Sequence, residues 1–151
     1  MKDVLDLIAR ILISGFFLYD AYDSIFYFRE TEAKMIYYGL NWNQDLLLLA
    51  SIVLLIVGGI LVLLGYRTTL GASLLLLYFI PLTFIVHNFW SVPEGYQVAL
   101  PVQSPRDYQR LQGVLFMKNL AIIGGLLMVY VNQSRKYRIR RIFATFRVPG
   151  A

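Results

Sequence analysis

Two stretches of this chain carry no charged side chain: residues 46–64, 19 positions, and residues 68–90, 23 positions. A helix that crosses a bilayer needs roughly 20 consecutive, mostly apolar residues. A chain of 151 residues is too short to hide two such helices inside a water-soluble core. Composition points the same way. Hydrophobic residues make up 58% and charged residues 15%, against about 45–50% and 25% in soluble domains. An all-α, polytopic membrane protein is therefore expected.

Two further segments extend the pattern. Residues 4–28 are apolar but include Asp6, Arg10, Asp20 and Asp23. A secretory leader is the rival reading, but acidic residues sit inside the segment and no small-residue cleavage site comes after it, so a retained helix is expected. Residues 113–131 are apolar around Lys118 and Asn119. Spans at 4–28, 46–64, 69–90 and 113–131 predict a four-helix antiparallel transmembrane bundle with short interfacial helices, one domain over residues 1–133, and a basic tail over 134–151. Tyr37, Tyr38 and Trp42 suit the headgroup level between the first two spans. Residues 65–68 form a tight polar turn. Pro81 removes a backbone donor inside the third span and crowds the Leu77 carbonyl, which predicts a kink. Residues 91–112, with Pro93, Gly95, Pro101 and Pro105, are expected to be a long loop without one regular element.

Four spans put both termini and the 65–68 turn on one side. That side carries Lys2, Arg10, Arg67, Arg135, Lys136, Arg138, Arg140, Arg141 and Arg147; the opposite loops carry Arg29, Lys34, Arg106 and Arg110. The bias places both termini in the cytoplasm. Asp20, Asp23, His87, Lys118 and Asn119 then fall roughly 5–12 Å outside the midplane at about 1.5 Å per residue. A charge in lipid costs at least about 2.5–3.5 kcal/mol, so such groups normally face the bundle and pair. The economical expectation is a pocket of Asp20, Asp23, Thr83, His87, Trp90, Lys118 and Asn119, with Lys118 paired to one aspartate, Thr83, His87 and Trp90 on one stripe, and Tyr19, Tyr22, Tyr78 and Phe84 as walls. The alternative is plain solvation at the interface, with Lys118 reaching outward.

Gly58, Gly59, Gly71, Ala121, Gly124 and Gly125 let helices approach closely, within the bundle or at a homodimer seam. Ile139, Ile142, Phe143 and Phe146 alternate with arginines at helical spacing. The tail therefore reads as a helix on the headgroup layer, with Arg135, Lys136, Arg138, Arg140 and Arg141 against anionic lipid, or as a simple topology signal. Nucleic acid is not an expected partner. The absence of cysteine removes thiol redox chemistry, disulfides and thiolate metal sites. With one histidine, no metal site and no catalytic set are expected.

Gly58 to Thr68 (GGILVLLGYRT), His87-Asn88-Phe89-Trp90 and Met117 to Leu127 (MKNLAIIGGLL) together resemble the DoxX family of small four-helix bacterial membrane proteins. The resemblance covers residues 46–131. The first span departs from it: the family often has a His-Gly pair and a downstream Lys, where this chain reads Tyr19-Asp20-Ala21-Tyr22-Asp23-Ser24. The resemblance implies association with membrane redox systems, among them a subunit of thiosulfate:quinone oxidoreductase, or with oxidative-stress proteins. The fold is also similar to the four-helix core of vitamin K epoxide reductase, whose chemistry needs cysteines and does not carry over. Three functions stand as expectations. The first is a non-catalytic subunit or assembly partner of an envelope complex in the bacterial inner membrane, respiratory complexes included. The second is a pocket for quinone or a similar lipid-soluble molecule, with His87, Lys118 and Asn119 as donors. The third is a proton or solute carrier using Asp20, Asp23 and His87.

Overall fold

The computed structural model describes residues 2–40, 42–91 and 105–132. Residues 92–104 of the expected loop at 91–112, and the basic tail from residue 134 onward, including Arg135, Lys136, Arg138, Arg140 and Arg141, lie outside the described residues. Among the described residues all regular structure is helical: α1 Lys2–Phe26, α2 Phe28–Tyr37, α3 Gln44–Leu63, α4 Thr68–Val86, a 3-10 turn Phe89–Ser91, and α5 Pro105–Val131. Three of these, α3, α4 and α5, are long and apolar enough to cross a membrane. The 25 residues of α1 are long enough, but Asp6, Arg10, Asp20 and Asp23 interrupt its apolar run.

Helix ends obey local chemistry. Gly65 at φ 64° terminates α3: its N–H donates to the Val62 carbonyl at 3.1 Å and the Tyr66 N–H to the Leu61 carbonyl at 3.1 Å, the paired bonds of a left-handed glycine cap. Gly39 at φ 83° closes α2 in the same way, with Gly39 donating to Ile36 and Leu40 to Met35.

The boundaries correct three expectations. The first long helix stops at Phe26, and Phe28–Tyr37 is a separate short helix. The third ends at Val86, with His87 turning out of the helix at φ −102°, ψ 47°; the helical stripe through Thr83, His87 and Trp90 therefore does not form. The last begins at Pro105, eight residues before the expected start. Pro105 opens this helix instead of interrupting a loop, because a first-turn position needs no backbone N–H.

Close contacts fix the antiparallel order. The Arg10 guanidinium reaches the Leu63 carbonyl (3.4 Å), joining the start of α1 to the end of α3. Thr69 reaches the Tyr130 carbonyl (3.5 Å), joining the start of α4 to the end of α5. Phe17, Leu55, Val62, Leu75, Phe79 and Leu126 form the shared core, with the Phe17 ring edge-on to Phe79 at 5.2 Å. The helices come closest where glycines face each other. A Cβ on Gly71 would stand 2.9 Å from the Gly58 carbonyl oxygen, and one on Gly59 would stand 2.9 Å from Leu18. These three glycines serve packing within the bundle. Gly124 meets nothing within 4 Å.

Candidate functional site

The polar groups at the end of the bundle where α1 and α3 meet α2 divide across α4. Tyr78 and Thr83 are five residues apart, about 140° around a helix of 3.6 residues per turn. They therefore serve opposite sides.

On the first side the Tyr78 hydroxyl donates to Asp20 Oδ2 at 3.1 Å. This pair lines a cavity of about 620 Å³ between α1, α2, α3 and α4. Asp23 and Ser24 join from α1, Lys34 from α2 and Tyr38 from the residue capping it, Ser51 from α3 and Pro81 from α4; the remaining wall is largely leucine and isoleucine. Ser51 donates to the Leu47 carbonyl at 2.8 Å within its own helix. The Asp23 carboxylate and the Lys34 ammonium have no hydrogen-bond or ion-pair partner among the described residues. Burial pushes the Tyr38 phenol above its ordinary value, and nearby Tyr108 adds to the effect; Tyr38 thus presents a neutral hydroxyl. Ala50, Leu77, Pro81 and Ile85 line the cavity and are also exposed, so it opens sideways between α3 and α4 while α2 lies over its end.

On the other side Asn119 Nδ2 donates to Thr83 Oγ1 at 3.2 Å, and Thr83 donates to the Phe79 carbonyl at 2.7 Å. Both side chains are buried. His87 Nδ1 lies 2.7 Å from Gln112 Oε1, which ties the end of α4 to the early turns of α5. Trp90 packs edge-on against Phe116 at 5.7 Å and is 53% exposed.

The expected single pocket is thus two separate arrangements. Asp20 and Asp23 share the cavity; Thr83 and Asn119 form one pair; His87 and Trp90 sit in neither. Lys118 is exposed on the perimeter of α5 and pairs with no aspartate among the described residues. The reason is geometric. Adjacent helix positions differ by about 100°, so the turn that seats Asn119 against Thr83 swings Lys118 outward. Of the expected walls, Tyr78 lines the cavity, whereas Tyr19 and Tyr22 face outward.

Two residues outside the expected pocket hold buried polar contacts. Gln112, read as loop, is buried and holds His87. Arg10 is 1% exposed, with Nε 3.2 Å from Asp6 Oδ2. Its i, i+4 spacing from Asp6 was the available signal.

Comparison with known proteins gives two findings. The DoxX family model matches residues 5–88. The match takes in α1, where the acidic residues depart from the family's motif, and stops before the Lys118-Asn119 segment that carried part of the resemblance. The chain is also 28% identical over 102 residues to the Surfeit locus protein 4 homolog of Schizosaccharomyces pombe, a stretch covering 67% of this chain and 29% of that relative. The chain therefore spans under a third of that relative's length. No solved structure matches significantly.

Proposed function

The chain belongs to the DoxX family, and from that membership we propose that it is a non-catalytic subunit or assembly partner of an envelope complex, with respiratory and redox complexes the first to test. In this reading α1 crosses the bilayer beside α3, α4 and α5, giving four spans. The basic side, with both termini, faces the cytoplasm of a bacterium, and Arg135, Lys136, Arg138, Arg140 and Arg141 meet anionic headgroups of the inner membrane.

Lys118 carries the partner reading. It is an ammonium on the exposed face of an apolar helix, without an acidic partner among the described residues. Met117, Ala121, Gly124 and Met128 run along the same exposed side, and Gly124 leaves room for another backbone to approach. A membrane helix bearing a carboxylate, from another protein or a second copy of this chain, would pair Lys118 and cover that stripe. Native membranes solubilised in mild detergent test this. The wild-type chain should co-purify with a stoichiometric partner or as an oligomer, and Lys118→Met should lose it. A wild-type chain that always emerges alone overturns the reading.

The cavity favours a second reading, a site for a lipid-soluble molecule. A quinone needs donors for its two carbonyl oxygens. The expected donors His87 and Asn119 are engaged on the far side of α4, while the cavity offers two carboxylates. A donor-rich head group suits it better than a quinone.

A further inference from the structure

We infer that the cavity between α1, α2, α3 and α4 receives the head group of a lipid bearing both a primary ammonium and a phosphate. This deepens the second reading above and rests on it.

The cavity is rich in acceptors. Asp20 and Asp23 stand three residues apart, on one face of α1. The Asp20 carboxylate receives one hydrogen bond, from Tyr78; the Asp23 carboxylate receives none from the described residues. Pro81, also in the wall, has no N–H to offer the Leu77 carbonyl, so a backbone acceptor at the cavity loses its ordinary helical donor. A primary ammonium carries three N–H donors and a full positive charge, which matches two carboxylates and a carbonyl. The charged lining residues are Asp20, Asp23 and Lys34. They leave a net negative site with one cation on α2, close to the end of the bundle. A head group with an ammonium at the aspartates and a phosphate at Lys34 sets an opposite charge against each of the three charged side chains, where a simple amine would neutralise the aspartates' excess but leave Lys34 without an anion.

The walls and the opening identify the molecule as a lipid. Leu47, Leu54, Leu82 and Ile85 line the cavity, and its exposed rim lies between α3 and α4. A head group can enter sideways while its acyl chains remain in the bilayer. The volume, about 620 Å³, falls within the roughly 300–1,000 Å³ typical of small-molecule sites. Free phosphoethanolamine carries the same primary ammonium on a phosphate monoester, without chains.

The test is native mass spectrometry and thermal stability of the purified full chain with added lipid. The probes are phosphatidylethanolamine, phosphatidylcholine, phosphatidylglycerol and free phosphoethanolamine. Phosphatidylethanolamine should bind and stabilise. Phosphatidylcholine keeps the charge but lacks the N–H donors and should bind about tenfold more weakly, the scale of one charge-assisted hydrogen bond; phosphatidylglycerol should do no better. Asp20→Asn and Asp23→Asn, near-isosteric changes, should each erase the preference for ethanolamine over glycerol head groups. Lys34→Gln should weaken binding of both ethanolamine and choline lipids. If Asp20→Asn fails to fold, Asp23→Asn alone decides. Equal binding of ethanolamine and glycerol lipids overturns the ammonium assignment and leaves the ligand reading standing. Binding of free phosphoethanolamine as tight as the lipid overturns the lipid assignment. No binding of any probe overturns both.

Discussion

Replacing Gly71 with alanine should separate α3 from α4. The added Cβ would lie 2.9 Å from the Gly58 carbonyl oxygen, 2.9 Å from Leu61 Cβ and 3.0 Å from Val62 Cγ2. Ordinary van der Waals contact begins near 3.4 Å, so the helices must part by about 3.4 − 2.9 = 0.5 Å. Two of the three obstacles, a carbonyl oxygen and a Cβ, cannot rotate away. A gap of 0.5–1 Å forfeits about a quarter to a half of each pairwise dispersion well along the seam. Overpacking of this kind costs about 1–3 kcal/mol. Alanine's better helix propensity returns about 0.5–1 kcal/mol at most. The net expectation is a destabilisation of about 1 kcal/mol, within a range of about 0–2.5 kcal/mol, read as a lower midpoint in thermal or SDS unfolding in detergent. Gly124→Ala is the control. With nothing within 4 Å, it should leave an isolated chain unchanged or slightly stabilised. Equal midpoints for Gly71→Ala and wild type would refute the close-packing argument.

Three other outcomes can be checked in the same preparation. Arg10→Met removes the hydrogen-bonded Asp6 ion pair and the contact to the Leu63 carbonyl; Asp6 is 31% exposed and stays solvated, so stability should fall by about 1.5–3 kcal/mol, the scale of a hydrogen bond to a charged group, and an unchanged midpoint would mean the guanidinium contributes nothing. Thr68 is 1% exposed and its hydroxyl has no hydrogen-bond partner among the described residues, so Thr68→Val should raise stability by about 1 kcal/mol, and a lowered midpoint would count against it. Burial raises the Tyr38 pKa, so the neutral form is favoured in the folded state. Its contribution to stability is complete below the ordinary phenol value of about 10 and disappears as pH climbs through the raised one. Tyr38→Phe should therefore weaken the alkaline loss of stability above about pH 10; an unaltered alkaline limb would contradict this.

The long helices were readable because span length and hydropathy are properties of consecutive residues. Gly58, Gly59 and Gly71 announced close packing for the same reason: a missing side chain has one structural use inside an apolar helix. Boundaries were less legible where one residue type has two meanings. Pro105 breaks a loop or opens a helix according to whether its missing N–H falls in the first turn. His87 can equally well continue a helix or leave it, and its own residue type does not choose between the two.

The grouping of polar side chains was not readable. Helix α4 is apolar nearly all round, so its periodicity carries no signal for which face meets which neighbour. Tyr78 could have faced α1 or α5, and Asn119 or Lys118 could have been the inward residue of α5. Amino-acid order alone established a membrane-sized set of helices, their turns, and the presence of Asp20, Asp23, His87 and Lys118 near one end. Packing decided how far each helix is rotated about its axis. That rotation gave Asp20 to Tyr78, Asn119 to Thr83 and Lys118 to the perimeter, because about 100° per residue makes neighbours in sequence face different partners in space.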